Sequence, residues 1–193
     1  MLSEIRPAIV STILFTLLLG VAYPLAVTGL GKLAFPWQAE GSLLRDRSGQ
    51  VVGSALIGQG FAKPEYLHPR PSAAGSGYDA SNSSGSNYGP LSADLAKRIK
   101  GDAEALRAST GYQQIPDDAI TTSGSGLDPD ISPDYALLQV DRVARARGVP
   151  AETVRRVISA HIDGPLLGFI GQPRVNVLKT NLNLDATAPR KGA

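Results

Sequence analysis

The chain has 193 residues, 42% of them hydrophobic, and its 19 basic residues are nearly balanced by 17 acidic ones. It contains no Cys, which excludes a disulfide scaffold, a Cys-based zinc site and a thiol nucleophile. The near balance of charge argues against a nucleic-acid-binding surface. The length fits one domain of ordinary size plus an appendage.

The appendage is a predicted membrane-spanning helix near the N-terminus. No charged residue occurs between Arg6 and Lys32. A helix of that length reaches roughly 37 Å, which is enough to cross a hydrocarbon core of about 30 Å. We therefore expect a short flank at 1–7, the span at 8–31 and a connector at 32–42.

Two other interpretations of this segment compete with an uncleaved anchor, namely a cleaved signal peptide and a buried core helix. Apolar character continues as far as Leu33, which favours the anchor. The small residues Ser11, Gly20 and Ala22 would allow the anchor to pack closely against another membrane helix. The basic residues that flank the span leave its orientation open.

The remaining sequence predicts a single α+β domain at 43–187. Within 43–58, two apolar runs flank Ser48 and Gly49, which predicts two short strands joined by a turn. Residues 72–90 hold six Ser and four Gly. Such a composition is typical either of an ordered functional loop or of a disordered segment, and both interpretations stay open.

Three helices are predicted in the second half of the chain. Apolar residues recur at helical spacing over 91–108, with Ser92 placed to cap the first helix. Ser132 is placed to cap a second helix, which Gly148 would end. A third helix follows and ends near His161. The resulting helix pair is a weak DNA-binding signal, and the charge balance favours simple packing.

The last predicted element is a strand over 174–185, because apolar and polar residues alternate there. A flexible tail is expected at 188–193. The predicted fold class is therefore α+β, with one N-terminal transmembrane helix followed by a single soluble mixed α/β domain.

Motifs for catalysis or metal binding are weak. The chain has two His residues, His68 and His161, and no G-x-S-x-G or P-loop sequence. The alternating acids that begin at Asp128 start like a calcium loop, but Pro133 and Gln139 occupy the positions of the required Gly and Glu. We therefore expect no catalytic residue, no metal site and no cofactor held by this chain itself.

One turn is a candidate for a structural or functional role. It comprises Ser123, Gly124, Ser125, Gly126 and Asp128. Glycine lets a backbone approach a ligand closely, so the N–H groups of this turn could face a phosphate. A purely structural turn is the competing interpretation.

Several sequence blocks, taken in order, resemble the C-subunit family of the Kdp-type bacterial potassium-transporting ATPase. Two positions, Tyr88 and Lys179, depart from the apolar residues expected there. With the N-terminal span, the matching blocks cover most of the chain. They are LIGQGFAKPEYLHPRPSA (56–73), SGSNYGP (84–90), TTSGSGLDPDISP (121–133), QVDRVARARGV (139–149) and RVNVLKTNLNLD (174–185).

The resemblance implies a non-catalytic accessory subunit of a high-affinity, ATP-driven potassium uptake complex in the bacterial inner membrane. The implied partners are a channel-like potassium-translocating subunit, a P-type ATPase subunit, a further small membrane subunit and the lipid bilayer, but no nucleic acid. The chain itself lacks the D-K-T-G motif of such pumps. An independent membrane-anchored envelope binding module or enzyme remains the alternative.

The resemblance also implies a nucleotide-related role for Gln139. The family's C subunit is described as stabilising the complex and as a catalytic chaperone that raises the ATP affinity of the P-type subunit, and Gln139 matches a glutamine linked to that role. The same resemblance places the domain outside the cytoplasm. We therefore expect ATP to act through the pump subunit, with coupling between subunits in place of direct contact.

Overall fold

The computed structural model describes residues 2–188, and the chain divides into two compact units at 1–43 and 44–193. The first unit is dominated by one long apolar helix that runs from Ile5 to Ala34. Its mean hydropathy reaches 2.1 and none of it is buried within the protein. Among residues 2–188 it is the one helix long and apolar enough to cross a membrane.

This helix has three parts, α1 (Ile5–Leu17), a π-helical turn (Leu18–Ala22) and α2 (Tyr23–Ala34). The π-helical turn comes just before Pro24, which has no backbone N–H to donate, and a wider turn accommodates such a gap. The helix extends three residues beyond the predicted span at each end. A short helix, α3 (Pro36–Ala39), follows within the predicted connector.

The second unit has the predicted α+β composition. Strands β1 (Leu43–Arg45) and β2 (Val51–Ser54) form the expected two-stranded hairpin. The carboxylate of Asp46 accepts hydrogen bonds from the backbone N–H groups of Ser48 and Gln50, at 2.8 and 3.0 Å, which fixes the turn at the predicted place.

Helix α4 (Ala93–Thr110) matches the first predicted helix. The hydroxyl of Ser92 accepts a hydrogen bond from the backbone N–H of Leu95 at 3.3 Å, as the sequence predicts for a cap. The helix ends at Gly111, which has φ +78°. A 3₁₀ turn (Asp117–Ala119) and strand β3 (Asp130–Ile131) follow.

The second predicted helix is interrupted at Gln139, which separates α5 (Pro133–Leu138) from α6 (Val140–Arg147). Its predicted cap is present, because the hydroxyl of Ser132 accepts a hydrogen bond from the N–H of Tyr135 at 3.0 Å. Gly148, at φ +66°, ends α6 as predicted. The third predicted helix is α7 (Ala151–Ser159).

The prediction of a strand over 174–185 is wrong for most of its length. Only β5 (Arg174–Asn176) is extended, and α8 (Val177–Thr187) follows at once. The buried residues of α8 recur at helical spacing, and two of them are polar. Because the strand prediction counted only apolar residues, it saw the alternation expected of a strand. The buried residues of α8 are Val177, Leu178, Thr180, Asn181 and Leu184.

The core of the second unit lies where α7 packs against α5, α6 and α8. A three-stranded antiparallel sheet of order β3-β5-β4, with β4 at Ile162–Asp163, adds Val175 as a central buried residue. Ala188, the first residue of the predicted tail, is buried at 2% exposure. The rest of that predicted tail, 189–193, lies outside the described residues.

Candidate functional site

The candidate site centres on residues 64–70, PEYLHPR, which we call the clamped segment. The segment contains two prolines and forms neither helix nor strand. Glu65, Leu67 and Pro69 are nevertheless buried. Buried backbone carbonyls need hydrogen-bond partners, and in a segment without regular structure these must come from elsewhere.

Two buried amide side chains bind the centre of the clamped segment in the same way. The Gln139 amide accepts from the N–H of His68 at 2.8 Å and donates to its carbonyl at 3.0 Å. The Asn181 amide does the same with Leu67, at 2.8 and 3.0 Å. Gln139 is 4% exposed and Asn181 is 2% exposed. Each side chain therefore imitates the pairing of a neighbouring β-strand.

Arg142 binds the start of the same segment. Its Nη1 atom donates to the carbonyls of Pro64 at 2.7 Å and Tyr66 at 3.0 Å, and its Nη2 atom donates to the Gln139 amide oxygen. It also lies 3.2 Å from Nε2 of His68. Burial and the nearby Arg142 charge both lower the pKa of His68 below its ordinary value.

Arg147 is almost fully buried, at 1% exposure, and its three guanidinium nitrogens donate hydrogen bonds to three different residues. Its Nε atom donates to the carbonyl of Glu65 at 2.7 Å and its Nη1 atom to that of Ala188 at 3.0 Å. Its Nη2 atom pairs with the Asp185 carboxylate at 2.9 Å. The guanidinium also lies 5.2 Å from the centre of the Tyr66 ring. Each nitrogen of this buried guanidinium thereby has a hydrogen-bond partner, which offsets the cost of burying its charge.

The hydroxyls of two tyrosines bind the last two carbonyls of the clamped segment. The hydroxyl of Tyr135 donates to the carbonyl of Pro69 at 3.4 Å, and that of Tyr78 donates to the carbonyl of Arg70. Burial raises the pKa of Tyr135 to about 12 and also raises that of Tyr78, so both phenols stay protonated. Every carbonyl from 64 to 70 thus accepts a hydrogen bond from a side chain.

The clamped segment continues into the Ser/Gly loop at 72–90, which is tied to the candidate turn by hydrogen bonds. The hydroxyl of Ser72 donates to the carbonyl of Gly126 at 2.6 Å, and the N–H of Ser84 donates to the carbonyl of Ser125 at 3.0 Å. Of the two interpretations left open by composition, the structure shows the ordered loop.

Gly126 is the residue of that turn on which the contact depends. It has φ +68°, and a Cβ atom there would lie 2.5 Å from the carbonyl oxygen of Ser84 and 2.6 Å from the nitrogen of Ala74. A Cβ at Gly124 would meet nothing within 4 Å. A side chain at Gly126 would therefore collide with the Ser/Gly loop and destabilise the fold, whereas one at Gly124 would fit.

The other turn residues bond within the fold. The N–H of Gly126 donates to the carbonyl of Ser123 at 3.3 Å, and the hydroxyl of Ser125 accepts from the N–H of Leu127 at 3.1 Å. The carboxylate of Asp128 pairs with Arg70 at 2.9 Å. These contacts favour the structural interpretation of the turn.

The candidate packing residues Ser11, Gly20 and Ala22 all lie on the long helix of the first unit and are exposed. A Cβ at Gly20 would meet only Thr16, at 3.9 Å. Packing against another membrane helix stays a prediction.

Among the alternating acids that begin at Asp128, the carboxylate of Asp130 pairs with Arg174 at 3.2 Å, which offsets part of their negative charge. Across positions 2–188, no three His, Asp or Glu side chains are grouped so that they could hold a metal ion.

A cavity of about 280 Å³ lies beside Gln139, lined also by Leu106, Tyr112 and Arg145. One N–H of the Gln139 amide donates to His68, and the amide oxygen accepts from both His68 and Arg142. A nucleotide that paired with both the oxygen and the bonded N–H of this amide would first have to displace the clamped segment.

The sequence interpretation missed Asn181, Arg142 and Arg147 as organising residues. A signal for two of them was present, because Asn181 and Arg147 stand at positions that continue the apolar faces of α8 and α6.

Together these features define a class of protein, in which a long apolar N-terminal helix precedes an α+β domain whose buried Gln139, Asn181 and Arg147 side chains bind the domain's own backbone. The chain belongs to the KdpC family, because residues 5–186 match the model described as K+-transporting ATPase, c chain. The resemblance drawn from the sequence blocks is thereby confirmed.

Curated relatives resemble the chain over nearly its full length. A protein of Caulobacter sp. (strain K31) is 66% identical over 192 residues, covering 100% of this chain and 98% of the relative. One of Caulobacter vibrioides (strain NA1000 / CB15N) is 67% identical over 189 residues, covering 98% and 96%. One of Beijerinckia indica is 59% identical over 191 residues, covering 98% and 96%. Each is named potassium-transporting ATPase KdpC subunit.

Proposed function

We propose that the chain is a non-catalytic accessory subunit of a high-affinity, ATP-driven potassium uptake complex in the bacterial inner membrane. It stabilises the assembly and supports ATP-coupled potassium import. Its partners are a channel-like potassium-translocating subunit, the P-type ATPase subunit and a further small membrane subunit. Family membership over residues 5–186 and the names of the relatives support this proposal.

The observation that supports an indirect effect on ATP is the pair of hydrogen bonds that the Gln139 amide makes within the domain. The oxygen and the nitrogen of its amide both bind the backbone of His68, and the residue is 4% exposed. An amide used in this way supports a role in folding over direct recognition of adenine. The effect on ATP affinity then passes through the partner subunits, as a coupling free energy between distant sites.

The direct test compares the purified complex with and without this chain. We expect loss of the chain to reduce assembly and to raise the ATP concentration needed for half-maximal, potassium-stimulated hydrolysis. We expect the full chain alone in detergent to bind no MgATP by calorimetry. Unchanged hydrolysis without the chain would refute the accessory role, and MgATP binding by the chain alone would refute the indirect mechanism.

The second part of the proposal is that the domain of 43–187 lies outside the cytoplasm. Ser76 is exposed in the Ser/Gly loop, and the chain has no Cys. We expect a Ser76→Cys variant to react with a membrane-impermeant maleimide in intact cells. A Thr180→Cys variant is the control, since Thr180 is 0% exposed and should react only after unfolding. Labelling of Ser76→Cys only in permeabilised cells would place the domain inside.

The third part is that the anchor packs against membrane helices of the partners through Ser11, Gly20 and Ala22, because small residues permit close approach. We expect Gly20→Leu to reduce co-purification of the partner subunits. Gly29→Leu is the matched control on the same helix, where a Cβ would meet nothing within 4 Å. Equal yields from both variants would contradict this packing face.

A further inference from the structure

The second unit carries a strongly exposed apolar group at residues 166–170, LLGFI, which we call the hairpin tip. Leu167 is 76% exposed and Phe169 is 77% exposed, while Leu166 and Ile170 are 67% and 49% exposed. Single exposed apolar residues are ordinary on a protein surface. Four large ones among five consecutive residues form a contiguous patch, which is typical of an interaction site.

The hairpin tip is held in a defined shape by its own backbone. Leu166 and Ile170 exchange two hydrogen bonds of 2.9 Å each, and the N–H of Gly168 donates to the carbonyl of Pro165 at 3.0 Å. Leu167 adopts φ +55°, a left-handed conformation in which leucine is disfavoured relative to Gly or Asn. Strain of this kind concentrates at functional sites. The tip therefore presents its apolar side chains already ordered.

The chemistry of the tip favours a protein as the covering surface over the lipid bilayer. Residues 164–173 contain no charged residue, no Trp and no Tyr, whereas segments that bind a membrane surface are enriched in these types. Among residues 2–188, no hydrogen bond uses the carbonyls of Leu167, Gly168 or Phe169. Hydrocarbon would leave these carbonyls unsatisfied, whereas a protein surface can supply donors.

We propose that the hairpin tip inserts into an apolar pocket on a partner subunit of the potassium-transporting complex. The pocket is lined by aliphatic or aromatic side chains and offers N–H or O–H donors to the carbonyls at the apex. Phe169 and Leu167 contribute most to this contact, because they are the most exposed of the four side chains and would bury the most apolar area. The proposal rests on the proposed function only in taking the chain to be a subunit of that complex.

The first test is photochemical cross-linking within the purified complex. A benzophenone amino acid replaces Phe169 in one variant and Leu91 in a control, Leu91 being 99% exposed and outside the tip. We expect irradiation to join position 169, but not position 91, to one partner subunit, identified by the mass of the adduct. Adducts with lipid, adducts with a second copy of this chain, or no adduct at 169 would each overturn the proposal.

The second test removes the apolar side chains of Leu167 and Phe169. In a Leu167→Asn, Phe169→Ser double variant, Asn tolerates the left-handed backbone while the tip becomes polar. We expect its affinity for the partner subunits to fall on the order of tenfold, as for loss of interface hot spots. The thermal unfolding of the full chain in detergent should not change, and Leu91→Ser should bind normally.

The two proposals fail in different ways. If the chain is not a subunit of such a complex, the unsubstituted chain will not co-purify with the partners at all. If only the docking proposal is wrong, the unsubstituted chain and the double variant will co-purify equally.

Discussion

The clamped segment and the hairpin tip are two short pieces of irregular backbone in the same unit, and they have opposite environments. The clamped segment contains charged residues, prolines and a histidine, yet Glu65, Leu67 and Pro69 are buried. The hairpin tip is almost entirely apolar, yet Leu167 and Phe169 are about three-quarters exposed.

The difference lies in what satisfies the backbone. All seven carbonyls of the clamped segment accept hydrogen bonds from side chains of other elements, whereas three carbonyls at the apex of the tip have no such partner among residues 2–188. Burying an unpaired carbonyl costs more than burying a methylene gains. In this domain, the supply of hydrogen-bond partners therefore decides burial for irregular segments, and apolar composition alone does not.

The largest expected change in stability comes from the turn that holds the Ser/Gly loop. It tests whether this loop is packed as tightly as the clamped segment that precedes it. In Gly126→Val, the new Cβ would lie 2.5 Å from the Ser84 carbonyl, on a backbone at φ +68°. We expect the free energy of unfolding to fall by more than about 4 kcal/mol, the range of severe packing and backbone defects. Denaturant unfolding of the full chain in detergent measures it.

The matched control for this change is Gly124→Ala, because a Cβ at Gly124 has open space around it. We expect that variant to unfold like the unsubstituted chain. Gly126→Val should also impair assembly and growth at limiting potassium. Normal folding of Gly126→Val would show that the Ser/Gly loop is not held by this turn.

The next largest expected change in stability comes from a side chain that binds the clamped segment. Arg147→Met keeps the apolar volume but leaves the carbonyls of Glu65 and Ala188 without their donor. We expect a loss of about 3 kcal/mol, because two buried carbonyls and the partly exposed Asp185 carboxylate would lose a charged donor. Arg145→Met, on the exposed face of the same helix, should change stability by less than about 0.5 kcal/mol. Equal losses of stability in the two variants would mean that the hydrogen bonds from Arg147 to the clamped segment contribute little to folding.

A smaller effect is a pH dependence from His68, whose pKa is lowered in the folded state. Between that lowered pKa and the ordinary value near 6.5, the unfolded chain binds a proton that the folded chain does not. Stability from this source is therefore complete above the ordinary pKa and is lost as the pH falls through the folded-state pKa.

We expect His68→Asn to abolish this loss, measured as the unfolding midpoint between pH 7.5 and 5.5. His161→Asn, which retains His68, should keep it. An identical pH profile for both variants would contradict the assignment.

The smallest expected effect comes from the hairpin tip. Leu167→Asn removes an exposed side chain and places a residue that tolerates the left-handed region at φ +55°. We expect the stability of the full chain to change by less than about 0.5 kcal/mol. A loss near that of Arg147→Met would mean that the tip packs within the chain, and the contrast with the clamped segment would fail.

Much of the fold was predictable because its signals are local. The uncharged N-terminal run, the caps at Ser92 and Ser132, and the turn near Ser48 all lie within the element that they define. The strand predicted over 174–185 failed because Thr180 and Asn181 are polar residues at buried helical positions. The Thr180 hydroxyl donates to the carbonyl of Asn176, four residues earlier, but the partner of Asn181 is the backbone of Leu67, which no local pattern displays.

The candidate site divides in the same way. The sequence pointed to Gln139 and Gly126, but it could not show that the Gln139 amide binds the backbone of His68, 71 residues away, or that Asn181 binds that of Leu67, 114 residues away. Hydrophobic runs, caps and turn glycines act over a few residues, so the sequence by itself determined the anchor and the α+β class. The partners of a buried carbonyl are brought together only by folding, so tertiary structure alone decided that the clamped segment is buried and the hairpin tip is exposed.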